Sequence, residues 1–268
     1  MMNRLDQRIQ QVLGRGEKFL CCVLPLGDPN MAATKRLVDH FLESGVDIVE
    51  LMIPSKNPHF DSQRMHAACR RALTAQPDLG AYLDLIKEIR GEHPDEPFEV
   101  MTYSDVVQEL GVRRFVEGLR AAGVEAHLLA DSIVASSTML DEMDNFLESA
   151  SIYRIRFMPH PFRDDLLPDI ADNGRGFMIL QSVADKDGQR PTVDERNRAL
   201  IERVRATGTR ASIMLGYGIR DGQRAAEAVA MNPDGLIIGT VLMDMIGAGD
   251  YDGLSGLIRE IKSATLPR

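Results

Sequence analysis

The stretch DIVELMI, residues 47–53, indicates most directly how this chain folds. It is a short apolar run without regular polar alternation, which is typical of a strand covered on both faces in a parallel sheet. Runs of the same kind recur along the sequence, at residues 19–26, 98–103, 126–131, 153–159, 176–183, 211–218 and 235–241. We therefore predict eight buried strands.

Longer amphipathic segments separate these runs and are predicted to be helices. Several stop at a glycine, as at Gly45, Gly123 and Gly208, which is a common signal for a helix C-terminus. The predicted helices include residues 34–44, 61–75, 112–122, 194–206 and 222–231, with an additional helix at 3–13 before the first strand. This alternation predicts an α/β fold, a (β/α)8 TIM barrel with an N-terminal extra helix, formed by residues 1–268 as a single domain. A doubly wound open sheet is the structural alternative.

The composition limits the classes of partner. The 268-residue chain has a formal net charge of −9, which argues against binding to nucleic acid or to an anionic membrane surface. Its three cysteines form no CxxC pair, so disulfides and cysteine-based zinc sites are not expected. The longest apolar run is too short to span a bilayer, and the N-terminus has no signal-peptide pattern. We expect a cytoplasmic protein.

Glu50 is an acidic residue inside an otherwise apolar strand. Alternation along the strand places its side chain on the same covered face as Ile48 and Met52, where a carboxylate is costly without partners. One interpretation is a buried glutamate that a neighbouring donor satisfies. The other is a general acid/base whose pKa is raised by burial.

Asp61 lies eleven residues after Glu50, in the loop before a predicted helix. Taken alone, it is explained as a helix N-cap. Both carboxylates nevertheless belong to one strand–helix unit, and the C-terminal ends of barrel strands form the active face of this fold. Two carboxylates that differ in burial can divide the acid and base roles between them.

The predicted seventh and eighth strands end in residues typical of a phosphate site. Gly218 and Gly239 would let backbone N–H groups approach an anion, and Thr240 would add a hydroxyl donor. Gly188, after the sixth strand, would close the same site; the alternative is that these are turn and packing glycines. We expect no metal, because the histidines lack metal-ligand spacing. We also expect no cofactor. A Schiff-base lysine is not expected either, since Lys186 lies beyond the sixth strand in a polar loop.

In this order, the motifs resemble those of the tryptophan synthase alpha subunit family over almost the whole chain. Asp61 falls where that family has its second catalytic aspartate. The other matching residues are LGDP at 26–29, GVDIVELMIP at 45–54, Met101 and Tyr103, GRGF at 174–177, GYGI at 216–219 and DGLIIGT at 234–240.

The resemblance implies a lyase of tryptophan biosynthesis that cleaves indole-3-glycerol phosphate to indole and glyceraldehyde 3-phosphate. By this resemblance, Glu50 protonates the departing indole carbon and takes the proton of the glycerol hydroxyl, while Asp61 holds the indole N–H. Tyr103 lines the wall near Asp61. The residues that the resemblance assigns to the phosphate are Gly188, Gly218, Gly239 and Thr240.

Several substitutions around this core depart from the family. Met52 replaces a glycine and is expected to project into the space for the indole ring, whereas Val23 and Ile179 replace larger aromatic residues. Asp187 replaces a threonine and is expected to repel Asp61, which would raise one of the two pKa values.

The loop at 54–63, PSKNPHFDSQ, touches the beta subunit in the family and also departs from its pattern. Asn57 replaces an aspartate, and the Gly-Pro pair after Asp61 is absent. A tryptophan synthase beta-type partner is therefore suggested by the resemblance but weakened by this loop. Three functions stay open: the lyase reaction, a divergent paralogue that uses the same carboxylates on another phosphorylated small molecule, and a non-catalytic subunit that binds a phosphate ligand or regulates another protein.

Overall fold

The computed structural model describes residues 2–185, 187–188 and 190–267. Lys186, considered above as a Schiff-base residue, lies outside them. The buried apolar residues form one continuous cluster that includes all the main strands and α1 (Arg4–Gly14). None of the helices in the described part of the chain has the length and apolar content needed to cross a bilayer.

The strands in the described residues form one parallel sheet, in which consecutive strands lie side by side except β5 and β6, which form its two edges. The sheet order is β5-β4-β3-β2-β1-β9-β8-β7-β6, so the first strand pairs with the last. This order confirms the barrel and excludes the doubly wound sheet, whose strand order reverses at a switch point. The strands are β1 (Phe19–Pro25), β2 (Ile48–Met52), β3 (Phe98–Thr102), β4 (Ala126–Leu129), β5 (Tyr153–Arg154), β6 (Arg156–Met158), β7 (Phe177–Gln181), β8 (Ser212–Gly216) and β9 (Gly235–Ile238).

The predicted fifth strand, at 153–159, is two short strands rather than one. Ile155 separates them, and its N–H still donates to the backbone oxygen of His127 on β4. β5 pairs with β4, whereas β6 pairs with β7. The chain therefore passes from one edge of the sheet to the other at Ile155, and the barrel is nearly closed.

Helices follow the strands, and each helix predicted by range is confirmed within three residues at either end. Gly45, Gly123 and Gly208 all have positive φ just beyond a helix, as their proposed role as helix stops requires. The remaining helices are α2 (Met31–Glu43), α3 (Gln63–Ala75), α4 (Leu79–Glu92), α5 (Ser104–Leu110), α6 (Val112–Ala121), α7 (Ser137–Ala150), α8 (Leu167–Asn173), α9 (Glu195–Arg205), α10 (Gly222–Ala230), α11 (Met243–Ala248) and α12 (Tyr251–Ala264), with 3₁₀ turns at Asp164–Leu166 and Thr240–Leu242.

Helix α1 lies across the N-terminal ends of the strands. Arg4 donates to the Glu125 carboxylate at 2.6 Å, just before β4, and Arg8 donates to the backbone oxygen of Asp47 at 3.2 Å, just before β2. The hydroxyl of Tyr153, at the start of β5, donates back to Asp6 at 2.8 Å. The barrel is thus covered at this end, which leaves the opposite end for a ligand.

Candidate active site

A cavity of about 680 Å³ lies at the C-terminal ends of the strands. This is the end at which barrel enzymes carry their active sites. The cavity is lined by both predicted catalytic carboxylates and by three of the four residues predicted at the phosphate end. Those residues are Glu50, Asp61, Gly218, Gly239 and Thr240.

Glu50 is held at the floor of this cavity by the middle of β2 and is 1% exposed. Burial raises the pKa of its carboxyl to about 7. The neighbouring Glu99 carboxyl opposes that rise, whereas the negative charge of Asp61 adds to it. Glu50 is therefore poised to exchange a proton near neutral pH, as a general acid/base requires.

Asp61 lies in the loop between β2 and α3 and is half-buried. It is not the N-cap of α3, because that role belongs to Ser62, whose hydroxyl accepts from the Met65 N–H at 3.3 Å. The hydroxyl of Tyr103 donates to Asp61 Oδ2 at 2.7 Å. Burial raises the pKa of Asp61 to about 6, and the hydrogen bond from Tyr103 partly offsets this.

The turns after β8 and β9 also line the cavity. Gly218 has a φ of +79°, and a Cβ at this position would come within 2.7 Å of the Pro191 backbone oxygen. A side chain is therefore excluded on two grounds, conformation and space. Thr240 begins the 3₁₀ turn after β9, and its hydroxyl donates to the Ser62 hydroxyl at 3.1 Å, which joins this turn to the loop that carries Asp61.

Gly188 and Asp187 lie apart from this group. Both are exposed and neither lines the cavity, although Arg190 and Pro191 of the same loop do; the Gly188 N–H donates to the Asp185 backbone oxygen instead. Asp187 is also absent from the groups that act on Asp61. The expectation that Asp187 raises a pKa by repelling Asp61 is therefore wrong, since burial has that effect instead.

The substitutions expected to reshape the pocket have mixed outcomes. Val23 and Ile179 line the cavity, as expected for positions where the family has larger aromatic residues. Met52 does not line it and is fully buried in the hydrophobic core. The expectation that Met52 fills ligand space is wrong, because the last residue of β2 packs among neighbouring core side chains.

Several residues at the site were not predicted from the sequence. Glu99 is fully buried beside Glu50. It was not predicted as a site residue, although it too is an acid within an apolar strand. Tyr217 lines the cavity with a φ of +74°, which is uncommon for a residue other than glycine. Three arginines, Arg64, Arg190 and Arg220, lie at the cavity and supply positive charge in an acidic protein. Arg190 and Arg220 lie in loops and Arg64 lies in the first turn of α3, so no pattern in the sequence predicts that the three meet at one cavity.

No three histidine, cysteine, aspartate or glutamate side chains within the described ranges cluster so that they could hold a metal ion. The three cysteines are free and buried.

Comparison with known sequences links this site to one family. A family model described as tryptophan synthase alpha chain matches residues 9–264. The tryptophan synthase alpha chain of Caldanaerobacter subterraneus subsp. tengcongensis is 29% identical, over 99% of this chain and 98% of its own length. That of Methanosarcina acetivorans is also 29% identical, over 98% of this chain and 94% of its own length.

Solved structures share the fold. A tryptophan synthase alpha chain from Legionella pneumophila subsp. pneumophila superposes with a TM-score of 0.86 at 22% identity, covering 99% of this chain and 98% of that one. A chain of tryptophan synthase from M. tuberculosis, in an aminoacrylate-bound form, gives a TM-score of 0.84 at 23% identity, covering 98% and 100%. At these identities the superpositions establish the barrel fold alone.

Proposed function

The chain belongs to the tryptophan synthase alpha chain family, and from that premise we propose that it cleaves indole-3-glycerol phosphate to indole and glyceraldehyde 3-phosphate, a step of tryptophan biosynthesis. The observation that supports this most is the shared cavity. Two carboxylates with raised pKa values line it together with the glycine turns after β8 and β9. The enzyme is thus a carbon–carbon lyase.

Glu50 and Asp61 divide the chemistry in this proposal. Glu50 in its acid form gives its proton to the indole carbon that carries the glycerol chain, and the positive charge that develops on the ring is stabilised by ionised Asp61 at the indole N–H. Glu50, now a carboxylate, takes the proton of the adjacent glycerol hydroxyl. The carbon–carbon bond breaks, its electron pair returns to the indole ring, and the hydroxyl oxygen becomes the carbonyl of glyceraldehyde 3-phosphate. Glu50 ends protonated, as it began.

The remaining site residues bind and position the substrate in the same proposal. Tyr103 orients Asp61 through its hydroxyl. Gly218, Gly239 and Thr240 hold the phosphate with backbone N–H groups and a hydroxyl. Gly188 is proposed to contribute to the phosphate site from the loop after β7, although it lies outside the cavity lining.

The test is release of indole from indole-3-glycerol phosphate by the wild-type protein and by Glu50→Gln. We expect loss of activity in the variant, because glutamine cannot transfer the proton. Glu125→Gln is the matched control: Glu125 is also a buried glutamate, but Arg4 and Arg90 pair with it and it does not line the cavity. A silent wild-type protein, or equal rates in wild type and Glu50→Gln, would contradict the proposal and favour a divergent substrate or a non-catalytic role.

We also propose that a beta-type subunit pairs with this chain only weakly. The support is the loop at 54–63, where two side chains are engaged within their own chain: the Ser55 hydroxyl donates to Asp105 at 2.8 Å, and Lys56 pairs with Glu109. Adding a tryptophan synthase beta subunit is expected to leave the indole release rate nearly unchanged. A large stimulation would overturn this. The free, buried cysteines support the cytoplasmic setting that we propose for the enzyme.

A further inference from the structure

Glu99 places a second buried carboxyl beside the proposed general acid. It lies on β3 directly opposite Glu50 in the pairing of β3 with β2. Glu99 is fully buried, Glu50 is 1% exposed, and their carboxyl groups are close enough to shift each other's pKa. Nothing in the proposed reaction assigns a role to Glu99, which does not line the cavity.

No positive charge compensates this pair. No lysine, arginine or histidine of the described chain acts on either carboxyl. Both Glu99 oxygens and Glu50 Oε2 are buried without a well-formed hydrogen bond to any described residue, although the Leu128 backbone N–H is near enough to Glu99 to oppose the rise of its pKa. The other titratable groups that face the pair are Cys21 from β1, Asp61 from the loop after β2 and Tyr217 from the turn after β8. None of these supplies a cation.

Two neighbouring carboxylates without a cation cannot both be ionised in a buried site, so the pair keeps at least one proton. A protonated carboxyl beside a carboxylate donates a strong, charge-assisted hydrogen bond. The deeper group keeps its proton more firmly, because it has no contact with the cavity. Burial accordingly raises the pKa of Glu99 well above its usual range, and the pKa of Glu50 less, to about 7.

We propose that Glu99 is a positioning residue, which stays protonated through the reaction and donates its O–H to the carboxylate that Glu50 becomes after giving up its proton. The role of Glu99 in the reaction rests on the proposed lyase function, whereas its protonation does not. The protons balance within one turnover: Glu50 loses one to the indole carbon and regains one from the glycerol hydroxyl, while Glu99 keeps its own. The hydrogen bond from Glu99 stabilises Glu50 in the charged form, which exists only after the first proton transfer.

The first experiment needs no activity. The carbonyl stretch of protonated carboxyl groups is recorded by infrared spectroscopy in D₂O near pH 8 for wild type, Glu99→Gln and the control Glu125→Gln. At that pH we expect Glu50 to be ionised and Glu99 to be protonated, so wild type and Glu125→Gln show a protonated-carboxyl band that Glu99→Gln lacks. Identical spectra for wild type and Glu99→Gln would overturn the proposal, whether or not the protein releases indole.

The second experiment compares indole release by Glu99→Gln and Glu99→Leu over a range of pH. The glutamine amide can still donate to Glu50, so we expect a near-normal kcat and pH profile. Leucine removes the donor from a buried charge, so kcat should fall roughly tenfold to a hundredfold and the alkaline limb should move to higher pH, with little change in KM. Equal losses in both variants with an unmoved alkaline limb would show a merely structural role. Should Glu99→Leu fail to fold, the glutamine profile and the infrared band decide. If the wild-type protein shows the band but releases no indole, the lyase function is contradicted, whereas the protonated state of Glu99 is not.

Discussion

Tyr103 lowers the pKa of Asp61 through a single hydrogen bond. Replacing it with phenylalanine removes the 2.7 Å contact that lowers the pKa of Asp61, so that pKa should rise above its value of about 6. Because Asp61 acts as a carboxylate, the acid limb of kcat/KM should move up by about one pH unit. The measurement is the pH profile of indole release. Tyr82→Phe is the matched control, since the buried Tyr82 hydroxyl donates to the Gln76 backbone away from the cavity. An unmoved acid limb in Tyr103→Phe would contradict this.

The two catalytic carboxyls together predict a narrow, bell-shaped pH dependence of kcat/KM. Activity requires Asp61 ionised and Glu50 protonated, so the rate should rise through about pH 6 and fall through about pH 7. The limbs belong to an interacting pair, so their positions are macroscopic values. Steady-state rates measured from about pH 5 to about pH 9 test this. A rate that continues to increase through the alkaline range would exclude Glu50 as the initial proton donor.

At this scale the sequence identifies the key acid but not its neighbour. Glu50 and Asp61 were readable because a carboxylate in an apolar strand is costly and because both belong to one strand–helix unit. Glu99 carries the same local signal, yet its meaning depends on its lying opposite Glu50, and that follows from the register of two strands. Register is fixed by the packing of the whole barrel, which no local pattern reports.

The turn after β8 shows what an element contributes beyond its residue types. Gly218→Ala would force a side chain into positive φ and against the Pro191 backbone, at a cost of roughly 1–2 kcal/mol for the conformation alone. The turn should shift away from its ligand position, and KM should rise about tenfold with a smaller change in kcat. Gly208→Ala is the control, because Gly208 has a similar φ of +75° but open space around it and lies far from the cavity. If both variants change KM equally, the turn after β8 is not a binding element.

Elements are predicted well in type and less well at their ends. All eight apolar runs form strands, but several predicted strands extend too far, as at 235–241, where β9 ends at Ile238. The extra residues there, Gly239, Thr240 and Val241, fit a strand pattern, although they leave the sheet and line the cavity. The break at Ile155 could not be predicted for the same reason, since the residues on either side of it suit a strand.

At the scale of the whole molecule, the buried acid makes folding depend on pH. The pKa of Glu50 is about 7 in the folded protein and near 4.5 when unfolded, so the folded state binds more protons between these values. The stability that Glu50 contributes is therefore fully present below about pH 4.5 and is lost as the pH rises towards 7. Glu50→Gln does not titrate, so its free energy of unfolding relative to wild type should increase by on the order of 3 kcal/mol over this range.

Urea denaturation of wild type and Glu50→Gln at both ends of this pH range measures the difference. Buried His127, whose pKa is lowered to about 3 by burial, is present in both proteins and cancels in the comparison. Glu125→Gln loses its ion pairs with Arg4 and Arg90 and should be less stable than wild type at either pH. A difference between wild type and Glu50→Gln that does not vary with pH would contradict the raised pKa.

The break at Ile155 also determines where the barrel can loosen. The ladders that end there are short: two residue pairs between β5 and β4, the fewest in the sheet, and three between β6 and β7, as many as between β8 and β9. Local opening starts where the fewest backbone bonds must be broken, so amide hydrogen exchange should be fastest, among the strands, in β5 and β6. β1 lies at the middle of the sheet order, between β2 and β9. β2 carries Glu50, and β9 ends just before Gly239. If the barrel opens first between β5 and β6, the proposed proton donor Glu50 and the proposed anion-binding turn at Gly239 stay beside each other until the last strands separate.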